Sequence, residues 1–339
     1  MDSKPVIGIT IGDAAGIGPE ISLKAIDDEI CKVCRPVLIG DIAFLRKAAA
    51  LFAPHLDIVE HGVERAESSV EVYAVNNLAA DLRYGVESKE AGKAAGEYIE
   101  TAVRLWKGGV IDAIATAPIN KHSLSLGGYE HPGHTEFLAA LTDTKSFAMS
   151  FFADDLRVVL LSTHLPLRQA IDKVTTTALV DLIAFTNENL GRLLNKKPKI
   201  AVAGLNPHAS ENGMFGTEEA EHIEPALKIS RDEHQIDVHG PFSPDTIFVR
   251  GYRGEFDAVI ACFHDQATIA VKSLSFGSGV NVTLGLPLVR TSVDHGTAFD
   301  IAGRGIADES SMRAAIKLAA QLSSSQALLV SSQSSETKG

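Results

Sequence analysis

Short apolar runs alternate with segments of helical period along this chain. Val6 to Ile11 precedes Pro19 to Ala25, Ile111 to Thr116 leads into a polar turn, and Ile200 to Ala203 precedes Glu218 to Ser230. That alternation predicts an α/β fold with a mostly parallel sheet. Leu179 to Leu194 has amphipathic spacing and predicts a helix ending before the Lys196-Lys197-Pro198 break. Pro19 after Gly18 suits a first helical turn, with Glu20 placed near the positive end of the helix dipole. Ser323 to Gly339 is rich in Ser and Gln and reads as a tail that ends disordered. No internal repeat interrupts this organisation.

Three of the apolar runs end in histidine. Val158 to Leu161 leads to Ser-Thr-His164, Ile200 to Ala203 to Gly-Leu-Asn-Pro-His208, and Val259 to Cys262 to Phe-His264. In open α/β sheets ligands collect at the carboxyl ends of strands, so three imidazoles delivered there from separate segments can converge. A three-imidazole site with an open position suits a catalytic divalent ion. Taken singly, a histidine near a strand end is more often a hydrogen-bonded structural residue, and ligands this far apart carry no zinc-finger spacing. Spacing alone leaves both readings open.

Composition narrows the function classes. At 339 residues, 45% hydrophobic and 22% charged, the chain has room for two domains or one large domain with a substantial core. A formal net charge of −12 argues against a nucleic-acid or anionic-membrane surface, so an anionic substrate would need local positive charge. No apolar stretch approaches a membrane span, and Met-Asp-Ser-Lys runs straight into a strand pattern, which makes the cytoplasm the expected location. Cys31, Cys34 and Cys262 are too few and too odd in number for a disulfide framework, and the lone Cys31-Lys-Val-Cys34 pair reads as ordinary thiols.

Two glycine clusters carry more specific information. Gly12-Asp13-Ala14-Ala15-Gly16-Ile17-Gly18-Pro19-Glu20 lies between a strand and a helix and departs from GxGxxG. The second runs from Asp294 through His295-Gly296-Thr297-Ala298-Phe299-Asp300-Ile301-Ala302-Gly303-Arg304-Gly305 to Asp308. Together they resemble the β-decarboxylating dehydrogenases acting on isocitrate and isopropylmalate, with Phe299 where those enzymes carry proline and Ala14-Ala15 lengthening the first loop. The resemblance implies two α/β domains with a cleft between them, and a nicotinamide cofactor lying along His295, Gly296, Thr297 and Ala298.

A closer resemblance covers Gly12 to about Ala319. Its marks are Gly133-His134-Thr135-Glu136, Thr163-His164-Leu165-Pro166-Leu167-Arg168, Gly204-Leu205-Asn206-Pro207-His208-Ala209, Pro244-Asp245-Thr246, His264-Asp265-Gln266, Gly279 to Pro287, and Arg290 to Thr297. This ordered series is similar to the 4-hydroxythreonine-4-phosphate dehydrogenase family of vitamin B6 biosynthesis. The resemblance implies that His164, His208 and His264 ligate a divalent metal, one of them across a homodimer interface. It also implies substrate contacts from His134, Thr135, Lys272, Asn281 and Arg290. Those residue types suit an anion, because Arg forks two hydrogen bonds to a carboxylate or phosphate and Lys supplies a point charge. Asp245 reads equally as a helix cap or, with Lys272, as a catalytic group.

The expected reaction is NAD-dependent oxidation of 4-phosphooxy-L-threonine and decarboxylation of the resulting β-keto acid, giving 3-amino-2-oxopropyl phosphate and CO2. NADP is an alternative acceptor, and zinc, cobalt or magnesium are the candidate metals. Alternatives within the family are D-threonate or D-erythronate 4-phosphate, or an aromatic cis-dihydrodiol carboxylate, as substrate. A catalytically silent metabolite sensor is the alternative outside enzymes. The expected domains are 1–125 with 280–321 on the cofactor side, 126–279 for metal, substrate and dimerisation, and a tail from 322.

Overall fold

The computed structural model describes residues 4–63, 69–79, 81–275 and 279–336. Residues 1–3 of the expected leaderless start and 337–339 of the expected tail lie outside these. The strands are β1 (Val6–Thr10), β2 (Arg35–Gly40), β3 (Asp57–Glu60), β4 (Ser69–Ala74), β5 (Ala113–Thr116), β6 (Ala148–Ala153), β7 (Leu156–Leu160), β8 (Ile200–Ala203), β9 (Val238–Phe242), β10 (Ala258–Ala261), β11 (Val280–Leu284) and β12 (Val289–Ser292). The chain divides into one compact unit of 1–145 with 286–324 and another of 146–285 with 325–339. These divisions fall at 145/146 and 285/286, against sequence expectations of 125/126 and 279/280.

In the first unit the strand order is β3-β4-β2-β1-β5-β12, parallel throughout. Helices cover both faces of such a sheet, which is why β1, β2 and β5 read as nearly unbroken apolar runs. Ile7, Ile9, Leu38, Ile39 and Ile114 are fully buried in this core. The longest fully capped helix here, Lys89–Lys107, starts where the Ser88 hydroxyl accepts from the Ala91 amide.

In the second unit the order is β11-β6-β7-β10-β8-β9. β6 runs antiparallel to both β11 and β7, and β7, β10, β8 and β9 are mutually parallel neighbours. Phe151, Leu156, Val158, Ile247, Phe248 and Val259 form its core. The predicted helix at Leu179 to Leu194 is present as Thr176–Leu194, capped by Thr175 and ended by Asn195 in the left-handed region. The expected helix from Glu218 splits into a π-helical turn, Glu219–Ile223, and an α-helix, Glu224–Asp232. At the C-terminus a helix spans Ser310–Glu336, through most of the stretch read as a tail. No Gly or Pro interrupts 310–336, so the backbone carries no local signal to stop.

Candidate active site

β7, β10 and β8 lie side by side and parallel, and each ends towards a histidine. Their carboxyl ends are tied together. Leu161 N donates to the Ala261 carbonyl at 2.9 Å, and the Ser162 hydroxyl to the Cys262 carbonyl at 3.0 Å. Gln266 accepts from Cys262 N at 2.7 Å and donates to the Gly204 carbonyl at 2.8 Å, bridging β10 to β8. His164, His208 and His264 are therefore delivered to one edge of this sheet.

The three imidazoles are held differently. His164 lies in an exposed bend, and its ring centroid is 5.7 Å from that of His264. His264 opens the helix His264–Ser275, and its Nδ1 is 2.7 Å from Asp265 Oδ1. A carboxylate beside one ring nitrogen is a pairing that orients metal-ligating imidazoles and directs the other nitrogen outward. His208 has a left-handed backbone, φ 53°, and its ring lies 6.2 Å from that of Phe215. Among the described residues no group of three or more His, Cys, Asp or Glu side chains is gathered as a metal cage. Asp245 is exposed in the first turn of Pro244–Tyr252, behind the N-cap position held by Ser243, and accepts from the Ser243 hydroxyl. That hydrogen bond, with the charge of His208 as a smaller cause, lowers its pKa. Lys272 is exposed on the helix His264–Ser275, and Asn281 on β11 has its Oδ1 buried without a hydrogen-bond partner among the described residues.

The first unit contains the cationic group. Arg290 on β12 is only 3% exposed, and burial pushes its guanidinium down to about 10. Its Nη2 donates to Thr116 Oγ1 at 2.8 Å at the end of β5, the strand paired with β12. Thr116 also lies 2.9 Å from the Ser292 hydroxyl, so its oxygen is fixed between two strands. His134 starts the helix His134–Leu141 after the extended Gly133. Burial first, then the charge of Arg290, holds its imidazole well below the usual range, so it is neutral at pH 7. Its Nε2 is out of solvent and lacks a hydrogen-bond partner among the described residues. Thr135 occupies the second position of the same helix, whose positive end favours an anion.

The two glycine clusters meet in this unit. Gly12 needs its φ of 67°, and a Cβ there would come within 2.2 Å of the Pro118 carbonyl. Ile17 N donates to the Thr297 carbonyl at 3.0 Å, and a Cβ on Gly16 would strike Thr297 at 2.9 Å, with the Phe299 ring just beyond. The amides of Asp13, Ala15, Gly16 and Ile17 all have protein acceptors. This first loop thus serves as a pedestal for the later loop, with those four amides committed to protein acceptors. Glu20, placed by sequence only for the helix dipole, is 1% exposed and accepts from Ala307 N at 2.8 Å and Gly305 N at 3.2 Å. Among the described residues nothing lies within 4 Å of a Cβ position on Gly296, and the covered His295 Nε2 has no hydrogen-bond partner.

Sequence reasoning missed Thr116 and Glu219. Thr116 looked like the last residue of an apolar strand, and the signal was a hydroxyl where the strand meets its neighbour's Arg290. Glu219 sits in an acidic run, Glu218-Glu219-Ala-Glu221, that reads as a solvated face, yet it is fully buried.

An α/β core with polar side chains at the carboxyl ends of its parallel strands places a ligand site there. The family described as pyridoxal phosphate biosynthetic protein PdxA matches residues 32–319. A 4-hydroxythreonine-4-phosphate dehydrogenase of Desulforapulum autotrophicum is 45% identical over 326 residues, covering 94% of this chain and 96% of its own. A D-threonate 4-phosphate dehydrogenase of Cupriavidus necator is 44% identical over 334 residues, covering 96% and 99%. The crystal structure of a 4-hydroxythreonine-4-phosphate dehydrogenase from Klebsiella pneumoniae has a TM-score of 0.87 at 38% identity, covering 95% and 99%. The chain belongs to the PdxA family and is an oxidoreductase.

Proposed function

We propose that this chain oxidises 4-phosphooxy-L-threonine with NAD and releases 3-amino-2-oxopropyl phosphate and CO2, with NADP as the alternative acceptor. The observation that carries the reading is the buried Arg290 guanidinium, fixed by Thr116, whose charge acts on a neutral His134 whose Nε2 has no hydrogen-bond partner among the described residues. Such a pair suits an anionic, hydroxylated substrate: the guanidinium supplies buried charge in a fixed fork, with the charge of Glu136 also acting on it, and the imidazole a polar atom that does not repel an anion. Thr135 adds a hydroxyl at a helix start. Lys272 and Asn281 are the substrate ligands proposed on the second unit.

His164, His208 and His264 are the residues that would hold a divalent ion. Three imidazoles at tied strand ends form a nitrogen donor set that fits zinc or cobalt better than magnesium. In this reading one of the three ligands comes from a second copy of the chain. The open backbone over Gly296 fits a cofactor along His295, Gly296, Thr297 and Ala298. When bound, the nicotinamide supplies the hydride acceptor and the ion supplies Lewis-acid charge at the reacting oxygen. Arg290 orients the substrate's anionic end. Asp245, held ionised, is a hydrogen-bond and proton acceptor, and Lys272 a donor for the oxygen that gains electrons when CO2 leaves. No helix among the described residues is long and apolar enough to cross a membrane, and a cytoplasmic homodimer is the proposed working form.

D-threonate 4-phosphate is the second reading, favoured by the 44% identity to the Cupriavidus necator enzyme. It carries a hydroxyl where 4-phosphooxy-threonine carries an amino group. A screen for NADH production with both esters, with zinc, cobalt and magnesium varied, decides between them. A higher kcat/KM for the threonate ester moves the assignment, and no turnover of either rejects both.

A further inference from the structure

His208 is carried by an unusual piece of backbone. His208, Ala209, Ser210, Glu211 and Asn212 have φ values of 53, 51, 67, 44 and 55°, a left-handed turn built entirely from residues with a Cβ. For L-residues this conformation is unfavourable at every step, so the turn persists only if its surroundings over-determine it. The strand end before it is held by two acids. Glu219, fully buried, accepts from Leu205 N at 2.8 Å and Asn206 N at 2.7 Å through Oε1, and from Asn206 Nδ2 at 2.9 Å through Oε2. Glu218 accepts from the same amide at 2.7 Å. A carboxylate taken out of water is retained only where donors satisfy it, and here every such donor lies in the two residues preceding Pro207 and His208. Glu219 opens the π-helical turn Glu219–Ile223, a local irregularity that often marks functional sites.

We propose that Glu219 is the positioning residue that locks the Leu205–Asn212 turn and so fixes where the His208 imidazole stands. The inference deepens the metal reading above for its consequence, but its structural claim about the turn is independent of any metal. Glu219→Gln keeps size and shape while setting its amide against the Asn206 amide, donor against donor. Asn206→Ala removes only the side-chain part of the clamp and serves as the milder variant.

Hydrogen–deuterium exchange by mass spectrometry on the full-length chain reads the turn directly. Amides in 204–216 of Glu219→Gln should exchange about tenfold faster or more, with Asn206→Ala intermediate and with β7 and β10 unchanged. Cobalt(II) titration, followed by its visible spectrum, reads the consequence. Loss of a residue that orients a ligand weakens metal affinity by roughly 10- to 100-fold, and Glu219→Asp should recover part of it. Unchanged exchange in 204–216 overturns the proposal, and so does loosening spread evenly over the second unit in both variants. If exchange rises locally while wild type shows no His208-dependent cobalt spectrum, the metal reading fails and the role of Glu219 stands.

Discussion

Replacing Asp13 with asparagine should stabilise the protein, and only where Asp13 is ionised. This carboxyl lies fully buried in the first glycine loop, and burial raises its pKa from 3.8 to about 6. The Ala15 amide, which donates to Oδ1 at 2.9 Å, and the nearby Ser123 hydroxyl offset only part of that cost, while the charge of Glu87 adds to it. A raised carboxylate pKa means the folded state holds its proton more tightly than the unfolded state. Stability is therefore greatest below the unfolded value and falls as pH rises through the folded one. The displacement of about 2 pH units corresponds to about 3 kcal/mol once both states are ionised, at 1.36 kcal/mol per unit. Asparagine keeps an oxygen for the Ala15 amide and carries no charge to desolvate. Asp13→Asn should gain up to about 3 kcal/mol at pH 8, roughly half that at pH 5, and almost nothing below pH 4. The single tryptophan, Trp106, lies on the helix Lys89–Lys107 of the same unit, so urea unfolding followed by its fluorescence reports the relevant transition. A gain independent of pH, or a loss of stability at pH 8, would refute the reasoning.

Arg290→Ala should lower kcat/KM for a phosphorylated substrate by on the order of a hundredfold, and Thr116→Val by about tenfold, through lost orientation of the guanidinium. Steady-state kinetics with the unphosphorylated analogue checks this, because the preference for the phosphate ester should shrink in Arg290→Ala. Since His134 is held neutral, the acid limb of the pH–rate profile should survive in His134→Asn; its disappearance would assign that limb to His134. Exhaustive chelation should abolish turnover without altering the circular dichroism spectrum, and cobalt or zinc should restore it. Mixing the His164→Ala, His208→Ala and His264→Ala proteins pairwise should restore activity for pairs whose ligands come from opposite subunits. No recovery in any pair despite subunit exchange would count against a shared site.

Much was legible in the chain because the governing interactions are local or periodic. Apolar runs at β1, β5, β8 and β10 announced buried parallel strands, and helical spacing announced Thr176–Leu194. The histidines could be assigned to strand ends because a strand's direction fixes which end its following residue occupies. The ordered motifs then identified the family, although no single one of them would have done so.

What the sequence could not settle depends on which distant segments meet. Nothing in Gly12 to Glu20 says that the amides of Asp13, Ala15, Gly16 and Ile17 are taken up by Pro118, Asp13 and Thr297, which seats this loop beneath the later one. Glu20 and Glu219 look like ordinary surface acids; only the fold brings backbone donors 14 residues away in one case and 287 in the other, turning exposed charge into buried clamps. Likewise, His134 is neutral because burial and then the charge of the sequence-distant Arg290 disfavour its protonation, and burial alone lowers the pKa of Arg290 against the opposing charge of Glu136. Sequence by itself determined the elements, their order and the residue types available for chemistry, because propensity and periodicity act over a few residues. Burial, charge state and hydrogen-bond partnership were decided by tertiary structure, because desolvation and Coulomb interactions depend on distance in space.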